Sequence, residues 1–193
     1  MARPRTFSDS AVLDAAMDVF WEKGYEATTT QDLCERTGLQ RGSLYNAFAG
    51  KHAIYEAAIK RYAETRAARQ LQELAPADGS VRERLRELMV AMIDLDLTDP
   101  GRRGCLALNA ATETSGRTGD VSTLVHTQFK DLEEALTALI AVGQQTGELS
   151  ADRRPRQVAR MFQSAYYGLR VLAKVTDDRQ ALLDVVDGTI AAL

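Results

Sequence analysis

Proline and glycine are scarce in this 193-residue chain, 4 and 13 respectively. An architecture of strands and tight turns needs more such punctuation, so long helices are expected. Cysteine is scarcer still, and two of them cannot build a disulfide framework, which points to a reducing, cytoplasmic setting. The two histidines, His52 and His126, stand in no metal-ligand spacing with each other or with cysteine. No activated nucleophile–base pair is legible either. No metal, no cofactor and no catalytic residue is therefore expected. No apolar run approaches the ~18 residues of a membrane span, and "MARPRTFSDSAVLDAAMDVF" has no apolar h-region, so neither a membrane protein nor a signal peptide is expected. Positive charge is not in excess. A formal net charge of -3 gives no global attraction to nucleic acid or anionic lipid, so either would have to be bound by a local surface.

What the chain does have is helical periodicity almost throughout, with 45% apolar residues to fill a core. The fold class expected is all-α. A first helix starts near Ser8 and ends before Gly24, with Val12, Ala15, Ala16, Val19 and Phe20 on one face. Asp14, Asp18 and Glu22 form a row on another, expected to be a solvated surface. Thr29 caps a second helix with Asp32 in capping-box position, and Gly38 suits its left-handed exit. A third helix covers Arg41 to Ala47. A fourth starts after Gly50 and runs without a breaker to Pro76, as a connector between an N-terminal head (residues 1–49) and a larger helical body (residues 50–193).

Two short helices joined by a glycine-containing turn match a helix-turn-helix, whose second helix enters the DNA major groove. Leu33, Cys34, Leu39, Leu44 and Phe48 make the inner side. Gln40, Arg41, Ser43 and Asn46 then point outward, and these side chains can read base edges. Gly42 lets the helix backbone come close. Thr29, Thr30, Tyr45 and Lys51 suit phosphates, Lys51 also standing at a helix start. Within residues 1–51 six basic side chains stand against seven acidic ones. Arg3, Arg5, Arg41 and Lys51 flank the reading helix, whereas the acidic row lies on the first helix. Recognition would lean on hydroxyls, amides and a few placed cations.

The stretch "VLDAAMDVFWEKGYEATTTQDLCERTGLQRGSLYNAFAGKHAIYEAAI" resembles the N-terminal domain of TetR-like (tetracycline-repressor-like) transcriptional regulators. The matching features are "FWEKGYEATT", the "T-G-L" turn, "GSLYNAF" and Lys51 opening the fourth helix. The resemblance implies an all-helical dimer, with a three-helix DNA-binding head on a ligand-binding body. It also implies that Thr29, Thr30, Gln40, Arg41, Gly42, Ser43, Tyr45, Asn46 and Lys51 occupy DNA-facing positions. Gln40 departs from a usual Ser or Thr, and Asn46 from a frequent His or Tyr; both bear on operator sequence. Gly50 replaces a common capping Ser and should only weaken that cap slightly.

In the body, Met89, Met92, Leu108, Phe129, Met161, Phe162 and Tyr166 are candidates to line an apolar effector cavity, with Asn109 and Tyr166 as polar contacts. Cys105 follows Gly104 at an expected helix start, with Arg102 and Arg103 just before it. Free N–H groups and nearby cations both favour the thiolate, the reactive form. This segment resembles a family subset with a "GCL" helix opening, some of whose members sense oxidants or electrophiles through cysteine. The helix expected over Gln157 to Val175 carries two apolar stripes: Val158, Phe162, Ala165, Leu169 and Leu172 on one side, Tyr167, Val171 and Val175 elsewhere. The second stripe, with Leu182, Val186 and Ile190 of the last helix, is expected to meet a two-fold partner.

Together these readings point to a homodimer that binds double-stranded operator DNA and answers to a small apolar or electrophilic effector. A helical dimer acting through protein contacts, and a thiol-dependent enzyme, are the alternatives.

Overall fold

Three of the helices begin where Thr29, Ser80 and Asp178 supply side-chain caps. The computed structural model describes residues 9–68, 79–113 and 120–193, and Arg3, Arg5 and Pro76 lie outside them. Among the described residues there are nine α-helices and no strand. They are α1 (Asp9–Lys23), α2 (Thr30–Thr37), α3 (Arg41–Ala47), α4 (Lys51–Tyr62), α5 (Val81–Thr98), α6 (Leu106–Glu113), α7 (Asp120–Gln145), α8 (Pro155–Leu172) and α9 (Arg179–Ala191). Thr29 and Ser80 each close a capping box, with Asp32 and Glu83 respectively. The connector helix does not run on uniformly: α4 passes into a π-helical turn over Ala63–Ala67. Helix α8 ends at Leu172, so Val175 stands in the turn beyond it rather than on the helix as expected.

Two compact units follow contact rather than chain order: residues 1–66 with 106–126, and residues 67–105 with 127–193. In the first unit α1 packs on α2 and α4, α2 on α3, and α6 on α4. Val12, Ala16, Val19, Phe20, Leu33, Leu44, Ile54 and Tyr55 are buried there. Burying Leu33 and Leu44 stabilises by about 1.5–3 kcal/mol each, and it fixes which face of α3 stays outside. The acidic row of α1 is more than a solvated surface. Asp14 takes two bonds from Arg61 (2.8 and 3.1 Å), and Glu22 takes two from Arg36 (3.0 and 2.6 Å). Exposed pairs of this kind add little stability, but they tie α1 to α4 and to α2 and neutralise Arg61 and Arg36.

In the second unit α5, α7, α8 and α9 enclose a core of Leu85, Met89, Leu136, Ile140, Phe162 and Val186 among others. Glu148 caps α5 from a loop, accepting from Val81 N (2.8 Å) and Arg82 N (2.6 Å). Leu182 and Val186 are buried in this core, where α9 packs on α5, and so are not the face that α9 leaves open. The open side instead carries Ala181, Val185, Gly188 and Ala192. On α8, Leu172 is exposed with Val171 rather than buried with Leu169.

Candidate nucleic-acid interface

The turn between α2 and α3 is built as the sequence suggests. Gly38 leaves α2 with φ 70°, and the Thr37 hydroxyl donates to Leu33 O (2.6 Å). Leu39 and Leu44 are buried beneath, so Gln40, Arg41, Gly42, Ser43 and Asn46 all stand exposed. A Cβ added to Gly42 would meet open space, which leaves the outer surface of α3 low enough for close approach. The two helices are tied directly. Thr30 Oγ1 lies 2.6 Å from the Tyr45 hydroxyl, and the Arg41 guanidinium rests 5.7 Å from the Tyr45 ring centre.

The α2 start is equally defined. Thr29 N–H donates to Asp32 (2.8 Å), and Asp32 N–H donates back to Thr29 Oγ1 (3.1 Å). Lys23 reaches the same carboxylate at 2.5 Å. The Lys23 ammonium first, and the Thr29 bonds after it, hold Asp32 well below the usual carboxylate range. Lys51, opening α4, sits 4.5 Å from the Tyr25 ring centre and donates to Glu26 O (3.3 Å). Tyr25 in turn is packed on Tyr55 and meets His52 edge-on. The cations of this unit thus divide into two kinds. Lys23 and Arg36 are spent on Asp32 and Glu22, whereas Arg41 lies along the Tyr45 ring of α3 and Lys51 along the Tyr25 ring.

Residues 12–58 match the profile of bacterial regulatory proteins of the tetR family, and residues 81–188 match a tetracyclin repressor-like C-terminal domain. The chain belongs to the TetR family. Its relatives include the HTH-type transcriptional regulator YezE of Bacillus subtilis strain 168, 33% identical over 195 residues that span 100% of both chains. The HTH-type transcriptional repressor ComR of Escherichia coli strain K12 is 27% identical, over 97% of this chain and 90% of ComR. Among solved structures, a cysteine mutant of the TetR-family regulator CifR complexed with 26-bp operator DNA superposes with a TM-score of 0.86 at 29% identity, covering 99% of each chain. As in other TetR-family transcription regulators, the α2–α3 pair is the helix-turn-helix of a DNA-binding domain.

The TetR-like C-terminal segment places the other candidates as follows. Met89 and Phe162 are buried in the core of the second unit, and Met92 packs against it. Met161 is exposed, its sulfur 3.4 Å from Arg153 Nη1. Leu108 and Asn109 lie on α6, which belongs to the first unit. Phe129, Tyr166 and Tyr167 come together: the Tyr167 ring is 4.6 Å from Phe129 and 5.3 Å from Tyr166. Tyr167, expected at a dimer face, is therefore part of this internal cluster. His126 is exposed on α7.

Cys105 is buried and stands at the helix start, immediately before Leu106 opens α6. The arginines expected to activate it are directed elsewhere. Arg102, in the left-handed region at φ 49°, donates to Ala173 O (2.9 Å) and Thr176 O (2.8 Å) and pairs with Asp177. Arg103 pairs with Asp99 (3.1 Å). Tyr166 and Tyr167 are phenols pushed upward by burial, so both stay neutral hydroxyls.

Three polar residues of this region escape the sequence reading. Arg170 and Asp96 form a buried bidentate pair, with the Tyr166 hydroxyl 3.4 Å from Arg170 Nη1. Gln163, also buried, donates to Phe129 O (2.8 Å). A signal existed: Asp96 continues the buried Met89–Ile93 face of α5, and Arg170 follows Tyr166 by one turn between Leu169 and Val171. Charges inside apolar stripes need partners. Among the described residues no cluster of three or more His, Cys, Asp or Glu could hold a metal ion, and no helix is long and apolar enough to cross a membrane.

Proposed function

We propose that this chain is a ligand-responsive repressor of the cytoplasm that binds a pseudo-palindromic operator as a homodimer. Residues 1–49 serve as the DNA-binding head, and residues 50–193 as the effector-binding and dimerisation domain. The observation that carries this reading is the outer face of α3, where exposed Gln40, Arg41, Ser43 and Asn46 stand above buried Leu44. Arg41 takes a guanine edge, and Gln40 and Asn46 amide groups suit adenine. Thr29, Thr30, Tyr45 and Lys51 contact phosphates and set the register.

Dimerisation uses α8, the turn that follows it, and α9. Met161, Ser164, Gly168, Val171, Leu172 and Val175 recur at three- and four-residue steps and are all exposed. With Ala181, Val185 and Gly188 of α9 they make an apolar, small-residue surface that a second copy would cover by two-fold symmetry. CifR, a relative by structure at 29% identity, is complexed with double-stranded operator DNA, and ComR is named a repressor. Both support this reading.

The trigger is a small molecule taken up beside Phe129, Gln163, Tyr166 and Tyr167, or a thiol modification at Cys105. Cys105 is 5% exposed, so a reagent reaches it only through local opening; this favours the reversible effector. Either one releases DNA only by binding the non-matching dimer geometry better than the DNA-bound one.

Selection of bound sequences from a random DNA pool tests the reading. A two-fold-symmetric motif is expected, whose specificity relaxes at one position per half-site in the Arg41→Ala variant. No enriched motif, with or without reducing agent, would leave the alternative of a dimer acting through protein contacts.

A further inference from the structure

Glu113 is the last residue of α6, yet its side chain works on the turn that follows α1, 88 positions earlier in the chain. Its Oε2 accepts the Tyr25 N–H at 2.8 Å. Gly24 leaves α1 with φ 77°, its N–H bonded to Phe20 O at 2.9 Å. An ideal Cβ on Gly24 would lie 2.2 Å from Glu113 Oε1, so the carboxylate occupies space that only glycine leaves open. From the other side the Thr28 hydroxyl closes the turn on Gly24 O (2.6 Å).

The placement runs against helix electrostatics. A carboxylate lying against the end of α1 meets the partial negative charge of that helix's C-terminus. Helix stability alone would select a cation or a neutral group there. What the acid gains is the Tyr25 N–H, and what the turn gains is a fixed conformation. That conformation matters for one side chain above all. The Tyr25 ring and the Glu26 carbonyl, consecutive in the turn, are the two groups that hold Lys51 Nζ, at 4.5 Å and 3.3 Å.

We infer that Glu113 is a positioning residue for operator binding: by holding the Gly24–Glu26 turn it aims Lys51 at the phosphate backbone. The inference rests on the reading of Lys51 as a phosphate contact given above. Glu113 touches no DNA itself, and its own charge would repel a phosphate. Its effect therefore has a sign that a bare charge would not give.

The test uses the full-length dimer and the operator recovered by selection, titrated by fluorescence anisotropy over a range of salt concentrations. Lys51→Ala is expected to weaken binding and to reduce the salt slope by about one per site. Glu113→Ala is expected to weaken binding roughly fivefold with a matching loss of slope, because Lys51 is no longer aimed. Glu113→Gln keeps an amide oxygen for the Tyr25 N–H and is expected to stay within about twofold of the parent. Glu113→Asp keeps the charge but lacks the reach, and is expected to behave like alanine; it also serves if the alanine variant folds poorly.

The combined Lys51→Ala/Glu113→Ala variant should bind no more weakly than Lys51→Ala alone, since both remove one contact. A general defect of the head would instead lower affinity in both backgrounds. Additive losses, an unchanged Glu113→Ala, or tighter binding by both the Ala and Gln variants would each overturn the inference. If Lys51→Ala itself leaves affinity and slope intact, the phosphate reading fails and takes this inference with it. If only Lys51→Ala weakens binding, the role given to Glu113 alone is lost.

Discussion

Arg170 and Asp96 face each other through two parallel bonds, Nε to Oδ2 at 2.8 Å and Nη2 to Oδ1 at 2.7 Å, with both side chains sealed from water. The fork-to-fork geometry explains how two charges persist in an apolar core. Removing one partner strands the other. Asp96→Ala is expected to lower unfolding stability by about 3–5 kcal/mol, while the volume-matched pair Asp96→Leu/Arg170→Met recovers most of it. Urea denaturation of the three proteins checks both halves.

Gly50 precedes α4 with φ 132° and ψ 177°, a region open essentially to glycine. From the sequence, serine at this position looks like the better cap. The backbone says otherwise: Gly50→Ser is expected to destabilise by about 1–3 kcal/mol despite the gained hydroxyl. A rise in melting temperature would show that the turn relaxes to accept a capping side chain.

Asp32 supplies a pH dependence whose sign follows from its partners. Lys23 and Thr29 depress its pKa in the folded chain below the ordinary 3.8. Its contribution is therefore complete above that value and drains away as the pH falls beneath it. Trp21, the single tryptophan, lies on α1 against Tyr62 and reports on this unit. Acid titration of Trp21 fluorescence should show the parent losing stability below pH 3.8, and Asp32→Asn, weaker at neutral pH, following a flatter curve. Parallel curves would mean the ion pair does not form in solution.

Val171 and Val175 are 49% and 82% exposed in the isolated chain. If a second copy covers them, a carboxylate there would be buried without a partner. Val171→Glu and Val175→Glu are expected to weaken dimerisation at least tenfold, on the order of the cost of burying an unpaired charge. Sedimentation velocity across a dilution series measures it, and a parent chain that sediments as a monomer would refute the interface.

The head was legible because its signals are local. Thr29 with Asp32, Gly38 and the apolar spacing of Leu33, Leu39 and Leu44 each declare a helix end or a face within a few residues. The body was less legible because its decisive contacts are distant in sequence. Arg170 meets Asp96 across 74 positions, and nothing near either residue names the other. Leu182 and Val186 illustrate the same limit. Periodicity identifies an apolar stripe but is silent on whether it covers the chain's own core or a partner's. Arg102 and Arg103 sit beside Cys105 in sequence, yet their guanidinium groups reach Ala173 and Asp99 instead.

Among the described residues, Lys23 and Arg36 are bound to carboxylates, whereas Arg41 and Lys51 lie along the rings of Tyr45 and Tyr25. If the described cations are the ones that meet phosphate, a head with so few of them, on a chain of net charge -3, would hold random DNA weakly, because random binding is almost wholly a matter of phosphate neutralisation. The bulk chromosome would then sequester few copies of the protein. Operator occupancy depends on the ratio of specific to random affinity multiplied by the number of competing sites. A low count of molecules per cell can therefore keep one operator filled, and a modest drop in that count would be felt at once in transcription.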